Sequence, residues 1–488
     1  MNDPTTADGP LPFFVAGVER LGDAAIEVRD PATGALVARA ARAAPADLEE
    51  ALGAAADARR GLARAPIHAR KAVLEALRDA VRGADAELFA RTLAREAGKP
   101  LAFARGEVAR AGDTFDQAVA ACTEPIGELV PVDASPRSDG YLCLWRREPL
   151  GVASFITPFN FPLNLVAHKV APALVAGCPF VLKPALETPL SALLLGRVLA
   201  DAVRANDLPP GTFSILPLAN DDAAPLVEDP RVALLSFTGS AAVGHELARR
   251  AAGKRVTLEL GGTAACIVDA GTDLDDAVER LAIGIFSQAG QSCISVQRVL
   301  AHTSLADELF ERLARRADAL PGGDLLDPDT FRAPVLRDRD AERIEAWIEE
   351  AVAAGARVRC GGGRDGRFVE PTLLEGVPPD ARVVREEVFG PLATLETFDD
   401  FDDAVARADA GPFGLQVGLF TRDWTRALAA FERLDAGGVV LGDVPTARAD
   451  LMPYGGRGAS GSGREGVRFA VREMTEPKAL LLRRPPGG

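Results

Sequence analysis

From Gly151 onward the sequence changes period every few residues, and this rhythm restricts the possible folds more than any other feature. Short runs rich in β-branched and aromatic residues, at 152–157, 179–182, 213–216, 232–237 and 255–260, read as buried strands separated by stretches with helical spacing. A strand that pairs in parallel with its predecessor needs a long crossover, usually a helix, so the alternation predicts parallel sheets covered by helices. A second series follows, with strands at 266–269 and 296–302, helices at 274–287 and 305–320, and further units to about Leu441. At roughly 100 to 200 residues per domain, 488 residues suit two α/β domains better than one. Before Gly151 the spacing of Leu48, Leu52, Ala55 and Ala56, then of Val73, Leu74, Leu77 and Val81, predicts that helices come first. Tyr141 to Arg147 reads as a strand. The Gly-rich stretches 361–366 and 455–463 read as turns or loops, and 483–488 as a frayed tail.

Composition narrows the function. The net charge of −15 argues against a broad nucleic-acid or anionic-membrane footprint, which leaves a small molecule as the expected partner. The longest apolar stretch, 159–182, contains Asn160, Asn164, His168, Lys169 and three prolines, so it reads as buried core and not as a membrane span. The four histidines (68, 168, 245, 302) are not at metal-ligand spacing, so no metal is expected and a relayed Ser/His/Asp site has little material. Six cysteines (122, 143, 178, 266, 293, 360) stand singly, and the start has no signal-peptide pattern, which points to a reducing cytoplasm. Only six lysines stand against 49 arginines, which draws attention to each lysine.

A few residues suit chemistry. Cys293 lies among small residues in Gln-Ala-Gly-Gln-Ser-Cys-Ile-Ser, where closely approaching backbone leaves room for a carbonyl and free amides for an oxyanion. Taken alone it reads more readily as a buried inert thiol. Glu259 ends the strand-like run Arg-Val-Thr-Leu-Glu just before two glycines, at the edge where α/β sheets bind ligands; burial there would suit a general base, and a solvated strand end is the plainer reading. Asn160 follows a strand between two prolines, where its amide is placed either to meet an oxyanion or to satisfy turn backbone. Lys183 ends the next strand, within reach of ribose hydroxyls or phosphate, or simply solvated. Phe237-Thr-Gly239-Ser240-Ala-Ala-Val243-Gly244 joins a strand to a helix whose first amides attract phosphate, although it fits neither common phosphate-loop pattern. Glu387 and Phe389 put a carboxylate two residues from an aromatic ring, a pair able to hold a ribose and a flat ring.

Together and in this order, these strings resemble the aldehyde dehydrogenase superfamily, NAD(P)-dependent enzymes that oxidise aldehydes to acids, from about Phe13 to Lys478. The likeness is to its hydrolytic lactaldehyde, phosphonoacetaldehyde and non-phosphorylating glyceraldehyde-3-phosphate dehydrogenase-like branch. The resemblance implies Cys293 as nucleophile, Glu259 as general base and Asn160 as oxyanion amide. It implies NAD or NADP held by Ile156, Thr157, Pro158, Phe159, Lys183, Leu186, Phe237, Gly239, Ser240, Val243, Gly244, Leu260, Gly261, Glu387 and Phe389. The implied fold has a Rossmann-like cofactor domain at 1–126 and 150–261 and an α/β catalytic domain at 262–461. A small β oligomerisation element at 127–149 and 462–488 would serve a homodimer or homotetramer.

The sequence departs from the family pattern at informative places. Leu186 stands where a Glu often chelates the ribose hydroxyls, so the charge that repels a 2′-phosphate is missing and NADP stays open beside NAD. Phe159 stands where many members have Trp. Arg448, in the segment that borders the substrate tunnel in relatives, is a candidate for an anionic or hydroxylated aldehyde tail, with a solvated arginine as the plain alternative. Two other functions are carried alongside: a CoA-acylating relative, which would usually lack Glu259, and a non-catalytic binding or structural protein on the same fold, which loss of Cys293, Glu259 or Asn160 would have favoured.

Overall fold

In the computed structural model, which describes residues 9–483, the β-rich runs after Gly151 lie side by side in parallel. The first sheet has eight strands in the order Val18–Arg20, Phe13–Val15, Phe213–Ile215, Phe180–Lys183, Val152–Ile156, Val232–Thr238, Arg255–Glu259 and Gly461–Ser462. Its five central strands are parallel, and their order reverses between Val152–Ile156 and Val232–Thr238. At such a reversal the chain leaves neighbouring strands toward opposite faces and opens a crevice at their carboxyl ends. Residues of these strands are buried on both faces, as a covered parallel sheet requires. The apolar stretch 159–182 becomes part of this core, as the helix Asn164–Ala176 and the strand Phe180–Lys183, both buried almost throughout.

The second sheet has seven strands: Arg357–Cys360, Thr372–Glu375, Leu392–Phe398, Arg298–His302, Ala265–Val268, Gln416–Phe420 and Gly438–Leu441. All its pairs are parallel except the first. The helices Leu274–Phe286 and Thr303–Asp318 pack on each other beside it, each burying a stripe at helical spacing such as Ala306, Leu309, Phe310 and Leu313. The α/β expectation therefore holds for both sheets. The predicted strand 296–302 starts later, at Arg298, because Val296 and Gln297 are drawn into a loop that serves the site described below. Tyr141–Pro149 is a strand, paired antiparallel between Gly127–Val130 and Thr475–Arg483. Leu129, Leu144, Leu480, Leu481 and Leu482 stand exposed on this three-stranded sheet.

The amino-terminal expectation needs correction, because among the described residues four strands precede the helix Pro45–Arg64. Phe13–Val15 and Val18–Arg20 form a hairpin on the edge of the first sheet, and Ala24–Arg29 pairs with Leu36–Arg42. The signal was present but short: inward-facing residues Ala24, Ile26 and buried Val28 alternate with exposed ones along Ala24–Arg29. The turn that follows is fixed by the Asp30 carboxylate accepting the Ala32 N–H and by Gly34 at φ +71°. Long helices at Ile67–Arg82 and Leu101–Ala121 then follow, in keeping with the spacing. Of the predicted tail, only Arg483 belongs to the described residues, as the last residue of a strand. Among the described residues no helix is long and apolar enough to cross a membrane, and no cluster of three or more His, Cys, Asp or Glu is placed to hold a metal.

Candidate active site

A continuous cavity of about 1800 Å³ lies over the carboxyl ends of the first sheet at its strand-order reversal and reaches loops of the second. Every site residue expected from the sequence lines it except Gly244, which sits beneath its floor. A Cβ at Gly244 would lie 2.3 Å from Leu260 Cδ2, so glycine is what lets the helix Ala241–Arg250 pack against the strand end. The backbone N–H of Gly239 donates to the Glu259 carbonyl at 3.1 Å, tying this turn to the neighbouring strand. Ser240 caps the helix with extended backbone and makes no side-chain cap, so first-turn N–H groups face the cavity without a side-chain acceptor.

At one end of the cavity Lys183 Nζ donates to Asn220 Oδ1 at 2.8 Å, and burial pulls its ammonium down to about 8. Leu186 lines the same wall, while Glu187 is turned to Arg337, whose Nε donates to Oε1 at 2.8 Å. The Arg337 guanidinium also lies 4.7 Å from the Phe159 ring centroid, and Phe159 meets Phe389 edge-on at 5.9 Å. Farther in, Glu387 Oε1 accepts the Gly262 N–H at 3.3 Å. A Cβ on Gly261 would sit 2.1 Å from Glu387 Oε2, so the carboxylate occupies the place of a side chain there. Burial raises Glu387 to about 7, against its hydrogen bond to Gly262 and the pull of Arg343. Gln297 fixes this loop: Nε2 donates to the carbonyls of Val383 and Glu386, at 2.9 and 2.7 Å, and Oε1 accepts the Val388 N–H at 2.9 Å. An uncapped helix start, a buried lysine and a buried carboxylate along one cavity are groups that suit a dinucleotide.

Cys293 follows the helix Leu274–Phe286 through a left-handed run: Gln288 and Ala289 at φ +53° and Gly290 at +65°. Non-glycine residues in that region cost of order 1 kcal/mol each. The cost is met by locking bonds: Gln288 Nε2 donates to the Asn160 carbonyl, Gln291 Oε1 accepts the Leu336 N–H at 3.0 Å, and a Cβ at Gly290 would meet Gly390 O at 2.0 Å. The thiol loop thus presses on the loop that carries Glu387 and Phe389. Asn160 Nδ2 donates to the Gln291 carbonyl at 3.0 Å, which leaves its second N–H for the cavity, while its Oδ1 has no hydrogen-bond partner. Its own carbonyl accepts Lys99 Nζ at 3.0 Å, and Lys99 is paired with Glu107, whose Oε1 accepts the N–H groups of Leu163 and Asn164, both at 3.0 Å. This buried pair, which sequence reasoning missed, holds the Asn160 loop from below; its trace was the scarcity of lysine. Asn220 and Gln297 were missed as well, and no local pattern marked them.

Glu259 is buried, and neither carboxylate oxygen has a hydrogen-bond partner. Burial raises its pKa well above the carboxylate range and the Glu465 charge adds to this, against Lys169 and Arg448. Lys169 Nζ donates to Ser236 Oγ at 2.8 Å, and burial lowers its pKa. Burial pushes Glu465 up too, but His168, Arg448 and Lys169 outweigh it and hold its carboxyl below the usual value. Arg448 is buried and not solvated: Nη2 donates to Glu465 Oε2 at 3.3 Å, Nε lies 3.7 Å from Asp450 Oδ1, and the guanidinium caps the Tyr454 ring at 3.8 Å. Asp450 also accepts from Arg110 at 3.1 Å, and both arginines line the cavity. The thiol of Cys293 is pushed up to about 12 by burial, with the Tyr454 hydrogen bond opposing and the Glu387 and Glu259 charges adding. One cavity thus gathers a thiol, an unpartnered buried carboxylate, a primary amide and a helix start open to phosphate.

Known proteins are similar to this chain in sequence and fold. The family model described as "Aldehyde dehydrogenase family" matches residues 18–480. A 3-sulfolactaldehyde dehydrogenase of Priestia aryabhattai is 40% identical over 400 residues, 81% of this chain and 82% of the relative. The crystal structure of aldehyde dehydrogenase 21 from Physcomitrella patens, in complex with the reaction product succinate, superposes with a TM-score of 0.95 at 42% identity, covering 99% of this chain and 100% of that one. A glyceraldehyde-3-phosphate dehydrogenase from Methanocaldococcus jannaschii, complexed with NADP, gives 0.90 at 34% identity and covers 96% and 100%. A family match over nearly the whole length, together with a common fold, places this chain in the aldehyde dehydrogenase family, whose NAD(P)-dependent enzymes oxidise aldehydes to acids.

Proposed function

We propose that the chain oxidises a small aldehyde bearing an anionic or hydroxylated tail, through a covalent intermediate on Cys293 that water hydrolyses. The Cys293 thiol loses its proton to water in the cavity, and its sulfur forms a bond to the aldehyde carbon. The carbonyl electron pair moves to oxygen, where the free N–H of Asn160 Nδ2 and the Cys293 backbone N–H hold it. A nicotinamide cofactor held by Lys183, the Gly239–Ser240 turn and Glu387 would supply the hydride acceptor, so that loss of hydride from the thiohemiacetal carbon would leave a thioester on Cys293. Glu259 then takes a proton from water as the oxygen adds to the thioester carbon, the C–S bond breaks, and the acid leaves. The observation that carries the reading is the Glu259 carboxylate, buried without a partner in the cavity that holds the thiol. It also favours hydrolysis over acyl transfer to CoA. The test follows reduced-nicotinamide absorbance with an aldehyde panel, NAD or NADP, with and without CoA. Turnover without CoA is expected; turnover that requires CoA would replace hydrolysis by acylation.

Arg448 and Arg110 support the substrate class, since both guanidinium groups face the cavity and share Asp450. The similar proteins named for sulfolactaldehyde and solved with succinate handle anionic chains. Arg448→Ala is expected to lower kcat/KM for anionic aldehydes roughly ten- to hundredfold, the worth of one hydrogen bond to a charged group, and to affect a neutral aldehyde of equal length less. Equal losses for both would remove Arg448 from tail recognition.

The cofactor assignment includes NADP as well as NAD, because no carboxylate stands at Leu186 and Glu187 is held by Arg337. Leu186→Glu is expected to raise KM for NADP at least about tenfold through like-charge repulsion and leave NAD nearly unchanged. An equal change for both would contradict this. Within the described residues we further assign the cofactor domain to 9–126 and 150–261, the catalytic domain to 262–461, and a homodimer or homotetramer contact to 127–149 and 462–483. The exposed leucines of the three-stranded sheet support that contact. Six unpaired cysteines support a cytoplasmic setting.

A further inference from the structure

The sequence alone marks no role for Tyr454, yet among the described residues its phenol is the one hydrogen-bond partner of the Cys293 sulfur, with Oη 3.0 Å from Sγ. The residue is held by backbone and side-chain contacts. Its backbone N–H donates to the Glu465 carbonyl at 3.2 Å and its carbonyl accepts the Glu465 N–H at 2.6 Å, an isolated antiparallel bridge that pins the residue. Arg448 caps one face of the ring at 3.8 Å, and Ile294 and Leu415 pack around it. The next residue, Gly455, leaves room for the general base, since a Cβ there would lie 2.9 Å from Glu259 Oε1. These contacts hold the phenol against the sulfur, and phenylalanine would fill the same space without the hydroxyl.

We propose that Tyr454 is a catalytic residue of this site: its O–H donates to the Cys293 sulfur as the thiol ionises, stabilising the thiolate and aiming it at the aldehyde carbon. The thiol proton leaves to water, the phenol keeps its own proton, and the hydrogen bond weakens as the sulfur lone pair becomes the new C–S bond. The other charged groups facing the sulfur are Glu259 at the end of the strand Arg255–Glu259, Glu387 in the loop after Arg382–Arg385, and Arg448. The two carboxylates oppose ionisation. Arg448 favours it, from across the ring of Tyr454, so the phenol is the donor in contact. Burial keeps the Tyr454 hydroxyl protonated far above neutral pH, so it remains a donor throughout the working range. This inference rests on the proposed role of Cys293.

The test compares wild type with Tyr454→Phe. The rate of iodoacetamide alkylation of the Cys293 peptide, followed by mass spectrometry against pH in the cofactor-free enzyme, is expected to shift to higher pH by about one unit. The value of kcat/KM is expected to fall roughly ten- to hundredfold, the worth of a hydrogen bond to an ionised group. Cofactor affinity and thermal midpoint serve as controls and are expected to stay near wild type, which a merely structural tyrosine would not combine with a shifted profile. Coincident alkylation profiles would overturn the proposal. Cys293→Ser separates the two claims: if that variant kept full activity, the nucleophile assignment would fail, while the Tyr454 profile would still report on the thiol.

Discussion

Cys293→Ser is expected to bind NAD or NADP as well as wild type and to lose aldehyde oxidation by at least about 10³-fold, because a serine hydroxyl without a paired base is a far weaker nucleophile than a thiolate. The substitution removes little volume, and the locking bonds of the loop come from Gln288, Gln291 and Gly290, not from the thiol. A fold defect is therefore not expected, and unchanged cofactor affinity with unchanged thermal midpoint checks this. The other five cysteines cannot substitute. Cys122, Cys178, Cys266 and Cys360 are buried, and Cys143 lies on the strand Tyr141–Pro149; none of the five lines the cavity. Retained turnover would mean that the reaction does not pass through this thiol.

Glu259→Gln has the second large expected effect, and it separates the two halves of the reaction. Formation of the thioester does not require the carboxylate, whereas its hydrolysis does, so a first turnover of reduced cofactor should survive while steady-state turnover falls roughly 10²- to 10⁴-fold. The pH dependence follows from the raised pKa. A base must be unprotonated to act, so wild-type hydrolysis is lost as pH falls through the raised value, well above the range of an ordinary carboxylate. The glutamine variant should lack this step. A variant whose profile keeps it would assign the titration to another group, with Glu387 the first to examine, since burial raises it to about 7 in the same cavity.

The parts of the fold that could be read in the sequence are those whose signal is local and repeated. Buried parallel strands such as Val152–Ile156 and Val232–Thr238 announce themselves as apolar runs between helical stretches, because both faces are covered. The edge strand Phe13–Val15 was hidden because three residues carry no period, and its partner in the sheet, Phe213–Ile215, is some 200 residues away. The same distinction holds for the site. Cys293, Glu259, Asn160 and the Gly239–Ser240 turn stand in short strings whose small or rigid neighbours hint at their roles. Tyr454 meets Cys293 across 161 residues, Lys99 reaches the Asn160 carbonyl across 61, and Gln297 reaches the Glu386 carbonyl across 89. No spacing rule reports such contacts. Arg448 shows the limit in another way: it does line the cavity, but its partners Glu465 and Asp450, and the Tyr454 ring beneath it, became visible only in the folded chain.

The central claim is that oxidation and hydrolysis occur in sequence on Cys293 with Glu259 serving the second step. The most direct test is a rapid mix of Glu259→Gln with aldehyde and NAD or NADP, quenched in acid and read by peptide mass spectrometry. The account predicts one equivalent of reduced cofactor per active site and the mass of the acyl group on the Cys293 peptide, decaying far more slowly than wild type turns over. Reduced cofactor formed in a stoichiometric burst with no adduct on Cys293, or an adduct on another residue, would contradict it.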